Sequence, residues 1–131
     1  MKALLVADLH FNLRWFEWIE QEAETVDAVF LPGDLLDMFR SNPPLSMQAV
    51  AVRHWLRQLA KKCRVAFCSG NHDKYILIDR TFPAPNLIAD GFTEVLEGFV
   101  ITCVPYWCDE EEKAKYLNRG RAYRAGRKWT R

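Results

Sequence analysis

No stretch of this 131-residue chain comes near the roughly 18 consecutive apolar residues that a membrane-spanning helix needs. Met1-Lys2 is followed by only the short run Ala3 to Ala7 before Asp8, too little for the apolar region of a secretory leader. A soluble cytoplasmic protein is the expectation, with no membrane partner. An excess of charge of one sign is also missing, since 18 Lys and Arg stand against 17 Asp and Glu for a formal +1. The whole-chain charge therefore drives it toward neither nucleic acid nor membrane. Closely spaced cysteine pairs are lacking too: Cys63, Cys68, Cys103 and Cys108 fall into two C-x4-C pairs, not the two-residue spacing of a zinc knuckle. They read as reduced, structural residues. There is no internal repeat and no low-complexity linker, so the chain reads as one domain, 1–131.

What is present is a repeated design. Lys2 to Ala7 is a continuous apolar run without alternation, as expected of a parallel strand covered on both faces, and it opens into Asp8-Leu9-His10. Val26 to Leu31 is a second such run, turned by Pro32-Gly33 into Asp34 and then Asp37. Arg64 to Ser69 is the third and leads into Gly70-Asn71-His72-Asp73. Between them, Asn12 caps a helix from Leu13 with Phe16, Ile19 and Ala23 on its inner face, where Trp15 and Trp18 widen the apolar stripe and pack. Ser46 caps a second helix to about Lys62, with Ala49, Val52, Leu56 and Leu59 inward and His54 on the solvated face. This β-α-β-α-β order predicts parallel pairing, and open α/β sheets place their chemistry where strands end. Taken singly, Asp8 reads equally as a helix cap and Asn71 or Asp37 as turn residues. Asp, His and Asn at three strand ends together are the ingredients of a metal cluster.

In that order, Asp8-x-His10, Gly33-Asp34-x-x-Asp37 and Gly70-Asn71-His72-Asp73 resemble the calcineurin-like metallophosphoesterase superfamily. The resemblance implies an α/β fold with a mixed, largely parallel β-sheet flanked by helices, an incomplete version of that superfamily's αββα sandwich. It implies a hydrolase that cleaves a phosphate mono- or diester, as a phosphatase or phosphodiesterase, using two divalent metal ions that acidify a bridging water to hydroxide. Asp8 and His10 would hold the first ion, Asp34 would bridge both, and Asn71 would give its amide oxygen to the second. Mixed oxygen and nitrogen ligands suit Mn, Fe or Zn. His72 would face the substrate as a catalytic group, with Asp73 orienting it and raising its pKa. Asp37 would hold a ligand in place.

The superfamily pattern continues with a lone His and a Gly-His-x-His, whereas no His follows His72 in this chain. The second ion is thus expected to be weak or absent, and three readings stay open: the chain is C-terminally truncated, its missing ligands come from another chain, or the site is crippled. In each, another copy or a partner is expected to cover the missing half. Past Asp73, Tyr75 to Ile78 is a short apolar run and Pro83-Ala84-Pro85 a turn. Leu87 to Ala89, Phe92 to Leu96 and Phe99 to Val104 read as short strands, with Asp90-Gly91 and Glu97-Gly98 signalling hairpins. Asp109 to Glu112 open a last helix, followed by Arg119, Arg121, Arg124, Arg127, Lys128 and Arg131 without an acidic residue. Two other readings compete with the enzyme: a non-catalytic interaction module, and a nucleic-acid-binding protein or nuclease using that basic stretch.

Overall fold

A computed structural model describes residues 1–74, 76 and 84–124. Strands β1 (Ala3–Leu5), β2 (Ala28–Leu31), β3 (Arg64–Phe67) and β4 (Leu87–Ile88) form a parallel sheet in the order β1-β2-β3-β4. Helices α1 (Leu13–Glu22) and α2 (Leu45–Leu59) connect the first three strands. A separate hairpin of β5 (Thr93–Leu96) and β6 (Phe99–Thr102) pairs antiparallel, and α3 (Glu110–Arg124) follows it.

Strand periodicity explains how the layers assemble, because alternate side chains leave opposite faces of the sheet. Val29, Leu31, Val65 and Phe67 point to one face and meet Phe16 and Ile19 of α1 and Ala49, Val52, Leu56 and Leu59 of α2. The intervening Phe30, Ala66 and Cys68 point the other way, toward Ile101 and Cys103 at the end of the hairpin. Ile19, Leu56, Leu59 and Phe67 have no exposed surface, and burying each such side chain stabilises the fold by about 1.5–3 kcal/mol. The α/β architecture and the 93–102 hairpin match the sequence reading.

Several details differ from it. β1 is an edge strand with Leu5 69% exposed, so it is covered on one face rather than two. Ser46 does not cap α2; that position belongs to Pro44, whose carbonyl accepts the N–H groups of Met47 and Gln48 at 3.0 Å each. Asp90-Gly91 makes no hairpin turn, because Leu87–Ile88 joins β3 in parallel instead of pairing with β5. Trp15 and Trp18 stack edge to face on the surface, their ring centres 5.8 Å apart, not in the core. Asn12 does cap α1, accepting from the Arg14 N–H at 3.2 Å, and His54 is exposed. All four cysteines are free thiols. The start of α3 is closed by a reciprocal pair, Glu112 N–H to Asp109 Oδ1 at 2.8 Å and Asp109 N–H to Glu112 Oε2 at 3.2 Å, a capping box. Arg119 is held by the fold, donating to the Gly91 carbonyl at 2.6 Å. The 75–78 run (Ile76 apart), Pro83, the Arg124 side chain, Arg127, Lys128 and Arg131 lie outside the described residues. Among the described residues no helix is long and apolar enough to cross a membrane.

Candidate metal centre

The loops leaving β1 and β2 are laced together beyond their strands. Asp8 N–H donates to Gly33 O at 3.2 Å, His10 N–H to Asp34 O at 2.9 Å and Phe11 N–H to Leu35 O at 2.8 Å. This parallel pairing continues through residues with φ of 58° at Asp8, 44° at His10, 52° at Phe11 and 57° at Asp34. Left-handed backbone at a non-glycine residue costs on the order of 1–3 kcal/mol and persists only where its surroundings enforce it. Asp and His tolerate it better than most. The strained geometry turns three side chains to one point.

The result is a cluster in which one ligand atom from each of Asp8, His10 and Asp34 lies within 4.8 Å of the others. His10 Nε2 stands 3.9 Å from Asp8 Oδ1. Ligands bound at about 2.0–2.2 Å on opposite sides of an ion lie roughly 4.4 Å apart, so small side-chain shifts suffice for one cation to reach all three. Two carboxylates at this range repel without a positive charge between them. The donor set of carboxylate oxygen and imidazole nitrogen fits a divalent Mn, Fe or Zn ion.

Asn71 is brought to the same place. The end of its amide lies 3.3 and 3.2 Å from the two Asp34 oxygens. With the amide nitrogen inward it donates to both; with the oxygen inward, acceptor faces acceptor, an arrangement that a cation between them would satisfy. The approach is permitted by two glycines. A Cβ on Gly70 would stand 2.1 Å from Asp34 Oδ1, and one on Gly33, where φ is +107°, 2.7 Å from the Gly70 nitrogen.

His72 lies beside this group. Its backbone N–H donates to Asp34 Oδ1 at 3.1 Å, and its ring centre is 4.7 Å from that of His10. Nδ1 accepts the Met38 N–H at 3.3 Å, which puts the proton of the neutral ring on Nε2.

Two expected roles are corrected. Asp73 does not orient His72: Oδ2 accepts the N–H groups of Asp34 (2.6 Å) and Gly70 (2.9 Å), Oδ1 those of Leu35 (2.9 Å) and Leu36 (3.0 Å). Both oxygens are thus spent on backbone, and the residue is fully buried. Burial raises its pKa against the lowering effect of these amides, and the Asp34 charge adds to the rise. Asp37 likewise touches no candidate ligand. It accepts the Phe39 N–H at 3.0 Å and faces Arg40 Nε at 3.6 Å, closing its own turn.

The sequence reading passed over two further residues. Gln48, fully buried on α2, accepts the Asp37 N–H at 2.8 Å and donates to Asp37 O at 3.1 Å and Pro43 O at 2.9 Å. It thereby fixes the loop that carries the Met38 N–H. Its signal was a polar side chain inside an apolar stripe. Asp90, beyond β4, takes the Ser69 N–H at 2.8 Å and the Ser69 hydroxyl, steadying the residue just before Gly70-Asn71. In the sequence it registers only as half of the Asp90-Gly91 turn signal, which says nothing of Ser69.

A family model for calcineurin-like phosphoesterases matches residues 1–126. The chain belongs to this family. No curated protein matches it significantly. Membership and the Asp8, His10, Asp34 group together support a phosphoesterase-type function and a metal-binding hydrolase. This calcineurin-like phosphoesterase offers that one group of three or more acidic, His or Cys ligands among its described residues.

Proposed function

We propose that the chain hydrolyses a phosphate mono- or diester with two divalent ions, Mn, Fe or Zn. Asp8 and His10 hold one, Asp34 reaches both, and the Asn71 amide oxygen serves the other. The observation that carries this reading is the convergence of Asp8, His10 and Asp34 within 4.8 Å with the Asn71 amide against the same Asp34 carboxylate. Such a pair of ions, when bound, supplies an acidified water and neutralises charge on phosphoryl oxygens. The chain's own contribution is to hold the ester and move a proton. Nε2 of His72, which bears the proton when Met38 N–H occupies Nδ1, is the donor to the leaving oxygen or to a phosphoryl oxygen. Asp73 keeps the Asp34 and Gly70 loops registered through the amides it binds.

Calorimetric titration with manganese, followed by hydrolysis of p-nitrophenyl phosphate and its bis ester, tests the proposal. Specific binding that Asp34→Asn weakens more than tenfold is the expected result. Absence of specific binding overturns it and leaves the non-catalytic interaction module.

The second ion has only Asp34 and Asn71 as candidate ligands among the described residues, so its affinity should be much the weaker. One observation favours a contribution from a second copy or a partner: among the described residues β1 is an edge of the sheet, with Leu5 69% exposed, a surface that associates readily. Light scattering of the metal-loaded protein decides whether a second copy covers it.

A further inference from the structure

We infer that this site takes a phosphate ester whose organic group is a planar aromatic ring, held by Tyr106 and Trp107 on one wall and by Phe39 beside His72. The inference rests on the proposed phosphoesterase site and names the class of ester it accepts.

A cleft of about 440 Å³ opens at the candidate metal group, with Asp34, Gly70 and Asn71 on its floor and Thr102, Val104 and Tyr106 on its wall. No Lys or Arg lines it among the described residues, so the wall offers nothing to a second phosphate or another anionic substituent. Charge recognition is confined to the metal group, and the remaining side chains of the lining are uncharged: Pro32, Val104 and Tyr106 with the smaller Cys68, Ser69 and Thr102.

The aromatic wall is built and tethered. Tyr106 N–H donates to Ser69 O at 3.1 Å, which ties the ring's backbone to the residue before Gly70-Asn71. Tyr106 and Trp107 sit edge to face, ring centres 5.2 Å apart, yet they remain 62% and 51% exposed. On the His72 side, Phe39 is 85% exposed with its ring centre 5.5 Å from that of His72. Its loop is fixed by Asp37 Oδ1 and by Gln48. Tyr106 lines the cleft, Trp107 packs on Tyr106, and Phe39 stands beside His72; exposed rings forgo their own burial, and a ring-bearing ligand restores it by stacking. Ligand sites of this make-up combine apolar and aromatic walls with a few orienting polar groups.

The test is calorimetric binding to the manganese-loaded chain of phosphonates, whose P–C bond is not hydrolysed: phenylphosphonate, an adenosine 5′-phosphonate and methylphosphonate. Both ring compounds are expected to bind at least tenfold more tightly than methylphosphonate. Tyr106→Ala and Phe39→Ala should each shrink that ratio several-fold, and Tyr106→Phe should retain it. A gain for the adenosine compound alone assigns recognition to a nucleobase; a gain for both assigns it to any planar ring. Equal affinity for all three, or a ratio indifferent to both alanine variants, overturns the inference, as does an aromatic surface found buried against a second copy. Failure of manganese itself to bind overturns the proposed function; manganese binding without ring preference overturns this inference alone.

Discussion

The carboxylate of Asp73 takes the backbone N–H of Asp34 at 2.6 Å, so a residue beyond the third strand sets where a residue beyond the second one sits. Leu35, Leu36 and Gly70 add their N–H groups to the same carboxylate at 2.9–3.0 Å. Buried carboxylates are costly unless fully hydrogen-bonded, and here every donor is backbone of the two loops that frame the candidate metal centre.

Asp73→Asn is accordingly expected to be severe. An amide presents two protons where the carboxylate accepted N–H groups, so donors are left facing donors in a buried space. Unfolding in urea should show a loss of about 3 kcal/mol, since bonds to charged acceptors contribute about 1.5–3 kcal/mol each. Manganese affinity should fall with it, because Asp34 and Gly70 lose their common anchor. Unchanged stability would mean that the four amides find other acceptors.

Gly70→Ala probes the crossing of the loops without altering any charge. Its new methyl would stand 2.1 Å from Asp34 Oδ1 and 2.6 Å from the Asp34 nitrogen, far inside van der Waals contact, so both the side chain of Asp34 and the backbone beneath it must shift. Overpacking of this kind costs about 1–3 kcal/mol. Manganese binding by calorimetry should weaken at least tenfold while far-ultraviolet circular dichroism stays native. Affinity within twofold of the parent protein would show that Asp34 has room to retreat without losing the ion.

These two residues mark how far the sequence alone carries. Asp8, His10 and Asp34 could be read from it because each lies within three residues of an apolar run, and a parallel sheet delivers such ends to one edge. The role of Asp73 could not. Adjacency to His72 argued for a side-chain partnership, but the fold turns the two side chains apart and sets Asp73 under the amides of residues 34 to 36. Asp37 was misjudged likewise, since a carboxylate three residues from Asp34 satisfies its own turn before it can reach a neighbour. The exposed face of β1 was invisible because an apolar run reports that a strand forms, not how many layers cover it.

Gln48 offers a test of the loop beneath His72. Gln48→Leu preserves the volume and apolar surroundings but strands the Asp37 N–H and the carbonyls of Asp37 and Pro43 that the amide now serves. Leaving such groups unsatisfied costs about 1–3 kcal/mol, read as a lower urea midpoint. The Met38 N–H should also drift from His72 Nδ1, so nitrogen chemical shifts of the His72 ring should move toward mixed tautomers. An unperturbed ring would show that Met38 is positioned by other contacts.

Asp90 supplies the pH dependence. Burial raises its pKa above the ordinary carboxylate range, against the lowering effect of its two bonds from Ser69, and the charge of Asp73 pushes it further up. The folded protein therefore holds this proton at pH values where the unfolded chain, near 3.9, has released it. Stability falls with rising pH wherever the native state binds the more protons. The contribution is fully present below the unfolded pKa and is lost as pH climbs through the raised one. Asp90→Asn removes this titration and keeps an acceptor for the Ser69 N–H. Asp73, shifted in the same direction, is common to both proteins and drops out of the comparison to first order. Urea unfolding of the two from about pH 4 to pH 7 should show the parent losing stability relative to Asp90→Asn as pH rises, then running parallel to it. A difference that stays flat, or grows in the parent's favour, would place the Asp90 proton in the ordinary range and make its pair with Ser69 a solvated contact.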